Sequence, residues 1–139
     1  MKKITVLFLL IALVLSIVAC STVQEESKPQ PFFPESGSIL GTGETVFSFT
    51  VKDLDGTEAT YEIHTDANTV GEALMAVDLL EGTPGDYGLY VKSVCGITAD
   101  YDVDKSYWAF YVDGEYALAG VDQTEIVPGT AYAFIRTKD

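Results

Sequence analysis

Apolar residues at every second position dominate the part of this chain that can fold. In Val46-Phe-Ser-Phe-Thr-Val-Lys52, Phe47, Phe49 and Val51 alternate with polar neighbours, the period of a strand with one buried face. After an Asp53-Leu-Asp55-Gly56 turn the alternation returns between Thr57 and Ile63, with Ala59, Tyr61 and Ile63 on one face, so the two runs predict a hairpin. Further strand-like runs lie at 89–94, 107–112, 115–119 and 131–136, with Asp113-Gly114 as a tight hairpin signal between the second and third of them. One segment breaks the period. Thr69-Val-Gly-Glu72 has the form of a capping box, in which the threonine hydroxyl and the glutamate side chain each satisfy backbone amides at a helix start. Val70, Ala73, Leu74, Val77 and Leu80 follow at helical spacing and predict an amphipathic helix of about three turns, ending before a Gly82-Thr-Pro84-Gly85 loop. The plan is α+β: a mixed sheet with one helix packed across one face.

The N-terminus is of a different kind. Met1-Lys2-Lys3 leads into an apolar run from Ile4 to Ala19 that ends at Ile17-Val18-Ala19-Cys20. A basic start, an apolar stretch and small residues before a cysteine make a lipoprotein signal. Residues 1–19 are thus expected to be removed, and Cys20 to carry acyl chains that hold the protein to a bacterial cell membrane on its extracytoplasmic side. The run is shorter than the roughly 20 residues of a spanning helix. Residues 20–43 are rich in Ser, Gln, Glu, Pro and Gly and read as a tether. As flexible coil it would reach about 26 Å, enough to lift a domain at 44–139 clear of the headgroups.

Charge narrows the partners. The chain carries 8 Lys+Arg against 21 Asp+Glu, a net charge of −13, and loss of Lys2 and Lys3 with the signal lowers this to −15. So acidic a chain repels phosphate backbones and anionic headgroups, which excludes nucleic acid and leaves attachment to the acyl chains. Two cysteines, one of them Cys20, give no disulfide framework. Cys95 reads as a small buried hydrophobe; as a nucleophile it would need His64, the one histidine, as its base. No nucleophile and base spacing, metal cluster or phosphate loop is visible, so binding is expected rather than catalysis.

Two features remain as candidate sites. Tyr87, Tyr90, Tyr101, Tyr107, Trp108, Phe110, Tyr111 and Tyr116 fall within 30 residues. On a strand Trp108 and Phe110 share one face and Tyr107 and Tyr111 the other, so one set packs in the core while the other is exposed or covered by loops. Half-exposed aromatics with polar tips suit a flat ligand or a protein partner, and Tyr87, Tyr90, Tyr107, Trp108 and Tyr116 are the candidate ligand-binding residues. The alternative is that these rings only stabilise the sheet through cross-strand pairs. The second feature is Asp100-Tyr-Asp102-Val-Asp104. Calcium takes several oxygen ligands, and Asp100, Asp102 and Asp104 are candidates for it if the segment curls, since in an extended strand the outer two lie about 13 Å apart.

The order Thr69-Val-Gly-Glu-Ala-Leu, Tyr87-Gly-Leu-Tyr-Val-Lys-Ser-Val-Cys-Gly96, Tyr107-Trp-Ala-Phe-Tyr-Val-Asp-Gly-Glu115, Gly120-Val-Asp-Gln and Pro128-Gly129 resembles the bacterial transcobalamin-like C-terminal domain family over about residues 44–138. The resemblance implies a β-grasp-like fold and a ligand-binding module, because the related domain of animal cobalamin carriers covers one face of the corrin ring. A corrinoid is therefore the first candidate ligand. In the carriers a separate helical domain completes the site, and this chain has no room for one. Burying about 250 Å² on an aromatic platform would gain roughly 6 kcal/mol. Association costs at least about 4 kcal/mol, so a lone half-site would bind at millimolar strength or weaker unless polar contacts or a partner add to it.

Overall fold

The computed structural model describes residues 34–139. The signal segment 1–19, Cys20 and most of the proposed tether lie outside the described residues. Strands β1 (Ile39–Gly41), β2 (Thr45–Lys52) and β3 (Glu58–Thr65) precede helix α1 (Val70–Ala76). Then come β4 (Leu80–Gly85), β5 (Gly88–Val94), β6 (Ile97–Thr98) and a single helical turn, α2 (Tyr101–Asp104). Strands β7 (Ser106–Val112) and β8 (Glu115–Tyr116), a 3-10 turn at Val121–Gln123 and β9 (Ala131–Lys138) complete the order.

Two sheets form. The larger has the order β1-β3-β2-β9-β7-β8, with β1 and β9 running parallel to β3 and β2 and the remaining pairs antiparallel. The smaller is an antiparallel β4-β5-β6 ribbon. The predicted alternation sets the large sheet's inner face: Phe47, Phe49 and Val51 of β2, Ala59, Tyr61 and Ile63 of β3, and Tyr132 and Phe134 of β9 are all buried. Trp108 and Phe110 join them from β7, which settles which aromatic pair is core. Phe49 stacks with Tyr61 at 6.5 Å between ring centroids, and Phe110 meets Phe134 at 5.0 Å. Against this face lie Val70, Ala73 and Leu74 of α1 and Leu80, Val94 and Ile97 of the small sheet, in one continuous cluster.

Helix α1 starts as expected: Thr69 accepts from the Glu72 N–H, and the Glu72 side chain accepts from the Thr69 N–H. It is shorter than expected. The chain turns out of the helix at Asp78, which has φ 58°, while the Asp78 N–H donates to Met75 and the Leu79 N–H to Leu74. These two bonds form a Schellman ending. The residues expected to form a loop after the helix instead form β4, whose Pro84 is tolerated because β4 is an edge strand. A register shift at Glu81/Gly82 marks a bulge in it. Asp113-Gly114 closes the expected β7–β8 hairpin, but β8 ends at Tyr116 instead of continuing to Ala119.

Candidate functional site

Three segments wall an open groove of about 430 Å³: the β4–β5 turn with the first half of β5, the middle of β7, and the loop from Tyr116 to Val121. The β4–β5 hairpin pairs Gly85 with Gly88 and so puts Asp86 and Tyr87 at its tip, where Tyr87 stands almost wholly exposed at 95%. Tyr90 projects from β5 half exposed, and Tyr116 is 63% exposed where β8 ends, its ring against Tyr111 at 5.7 Å. Tyr107 is half buried. Trp108 presents only its margin, being 7% exposed and donating its indole N–H to the Ile97 carbonyl at 3.1 Å. All five aromatics singled out from the sequence line this one groove. They do so at different depths: Trp108 belongs to the core and forms floor, whereas Tyr87, Tyr90 and Tyr116 form rim.

Other contributors carried no signal of their own in the sequence. Leu89, Val91 and Val121 supply apolar wall, and Leu118 stands fully exposed on the loop that replaces the expected end of β8. Among the described residues no charged side chain lines the groove. Behind the wall lies Asp122, whose Oδ1 is buried without a hydrogen-bond partner. A Cβ at Gly88 would sit 2.9 Å from that oxygen and one at Gly120 2.8 Å, so both glycines make room for the carboxylate.

The aspartates considered for calcium do not converge in this structure. Asp100 caps α2, its Oδ1 accepting from the Asp102 and Val103 N–H groups. Asp104 turns the other way: its Oδ1 accepts from the Ser106 N–H and hydroxyl, and its Oδ2 lies 3.0 Å from Arg136 Nη2. The Ser106 hydrogen bonds, with the Arg136 charge beyond them, hold the Asp104 carboxyl below the usual carboxylate range. A short helical turn spends these carboxylates on its own amides and on an ion pair. Among the described residues no three His, Cys, Asp or Glu side chains converge to hold a metal ion.

Cys95 is the buried hydrophobe expected of it. It is fully buried next to Tyr61, and burial pushes its thiol up to about 12. His64 lies on the opposite face of β3 from Tyr61 and Ile63, hydrogen-bonded to Glu62 at 2.6 Å, so the two do not pair.

The geometry defines an α+β domain with an aromatic groove at one margin of its larger sheet. Haptocorrin, solved in complex with Cbi, shares the fold: the TM-score is 0.51 over 68% of this chain, at 15% identity. The match spans 25% of haptocorrin. A protein from Ruminococcus gnavus ATCC 29149, solved at 1.30 Å and described as a candidate metal-binding protein, is 33% identical with a TM-score of 0.66. That match covers 69% of this chain and 99% of the other, and the chain belongs to the same family. Residues 67–132 match the family model described as Domain of unknown function (DUF4430). No curated protein matches the chain.

Proposed function

We propose that this protein is an extracytoplasmic lipoprotein, anchored through acyl chains on Cys20, whose domain captures a small ligand in the groove of Tyr87, Tyr90, Tyr107, Trp108 and Tyr116. The observation that carries the reading is the convergence of these five residues, from three separate segments, on one largely apolar concavity. A corrinoid is the first candidate, supported by the shared fold with haptocorrin, whose complex holds Cbi. The groove is open on one side, and the matched region is a quarter of haptocorrin, so a second protein or a second copy would complete the enclosure. Binding rather than catalysis is the reading we carry forward, since Cys95 is held protonated in the core and His64 is bound to Glu62.

A second reading, cation binding, is favoured by the description of the Ruminococcus gnavus relative. In this chain it would require the loop bearing Asp100, Asp102 and Asp104 to rearrange and give up its amide and Arg136 contacts. Calorimetric titration of the chain in non-ionic detergent with cobalamin and with its lower-ligand-free analogue, with and without calcium, separates the two. Corrinoid heat at micromolar strength that vanishes in Tyr116→Ala supports groove capture. Heat on calcium alone transfers the function to the aspartate loop, and silence in every titration removes both ligands and leaves a protein partner.

A further inference from the structure

The groove's surroundings carry more than its apolarity. Its rim is made of tyrosine side chains, and among the described residues no lysine or arginine lines it. Asp86 and Glu115, both exposed, are the sequence neighbours of Tyr87 and Tyr116 and add negative charge to the segments that carry the rim. Behind the wall stands Asp122, one carboxylate oxygen of which meets neither solvent nor a donor. A buried acceptor atom with no partner is costly, although Asp122 as a residue is half-buried. Its Oδ1 lies close to Gly88 and Gly120, and Gly120 itself lines the groove, so the carboxylate brings negative charge to the groove wall. The whole chain, at −13, adds to that charge.

We propose that the groove selects organic cations, a quaternary or protonated amine seated on the tyrosine faces, with Asp122 supplying negative potential from behind the wall. The inference rests on the reading of the groove as a ligand site and names the charge of what enters it. Aromatic faces present negative quadrupole to a cation and suit a bulky, weakly hydrated ammonium group. A small hard ion such as calcium is not served by the same site, because it demands several converging oxygens and the groove offers none from charged side chains. The Gly88 and Gly120 spacing follows from the same arrangement, since a side chain at either position would push the Asp122 carboxylate out of its seat.

The test compares choline and tetramethylammonium with 3,3-dimethylbutan-1-ol, a neutral molecule of choline's shape, by calorimetry and Trp108 fluorescence on the full chain in non-ionic detergent. The cations should bind about tenfold tighter than the alcohol. Their affinity should fall with added salt and fall severalfold in Asp122→Asn, and Tyr116→Ala should abolish binding. The salt series uses the unaltered protein, so it decides the matter even if Asp122→Asn folds poorly. Equal affinity for cation and alcohol, or cation affinity indifferent to both salt and Asp122→Asn, overturns the proposal. Binding of neutral corrinoids with exclusion of choline overturns cation selection but leaves the groove as a ligand site. No binding of any of these probes overturns both.

Discussion

At the scale of single residues, Arg136 joins three separate elements through its guanidinium group. Its side chain is 16% exposed and reaches Asp53 at 3.2 Å, Asp104 at 3.0 Å and the Ser106 hydroxyl, tying the β2–β3 turn and the α2 turn to β9. The consequence appears in acid. Asp104 is held below its unfolded value, which is near 3.9, so its contribution to stability is present above that value and is lost as pH falls through the lower folded value. Asp104→Asn should therefore melt below the wild type at pH 7, and the gap should narrow as pH falls below about 4. Thermal melts of both proteins across that range check this. A gap that stays constant with pH would mean that Asp104 acts through shape and not through charge. Neither this network nor the cap at Asp100 could be read from the sequence, where Asp100, Asp102 and Asp104 look alike. Only the helical turn and the distant Arg136 decide which way each carboxylate faces.

Among the elements, those whose pattern is local were legible. Alternation placed the inward faces of β2 and β3, and the Thr69–Glu72 box placed the start of α1. The box should be measurable: Thr69→Ala removes the acceptor for the Glu72 N–H and is expected to cost about 1 kcal/mol. For a domain of about 100 residues that lowers Tm by about 4–8 °C. An unchanged Tm would show that α1 is held by packing of Val70 and Leu74 alone. The elements that escaped prediction depend on partners elsewhere. Strand β4 contains Gly82, Pro84 and Gly85, which all read as breakers, and it exists because β5 lies alongside to pair with it. The end of α1 was misplaced because the left-handed position of its Schellman ending, usually glycine, is occupied by Asp78. The aromatic residues of the groove were visible as composition, but their convergence required the β4–β5 hairpin and the 116–121 loop to come beside β7.

At the scale of the whole molecule, the two sheets share one core, and this bears on how the groove is kept in shape. Leu80, Val94 and Ile97 of the small sheet lie in the same cluster as Phe49, Phe110 and Phe134 of the large one. Trp108 spans the junction, its ring buried from β7 and its N–H bonded to the Ile97 carbonyl at 3.1 Å. The groove wall from β5 and its floor from β7 are thus parts of one cooperative unit, and a ligand would meet a preformed surface at little ordering cost. Phe134→Ala probes this, because its ring packs against Phe49 and Phe110 at the centre of the large sheet. The expected loss is about 3–5 kcal/mol, a large share of the stability of a domain this size. The decisive reading is the form of the transition. Trp108 emission reports the junction and far-UV circular dichroism reports both sheets, so a single unit gives coincident unfolding curves, in the wild type and in Phe134→Ala alike. If Trp108 emission shifts red before the dichroism is lost, the small sheet opens on its own and the groove wall is a separately folding flap. Ligand affinity would then include the work of closing it.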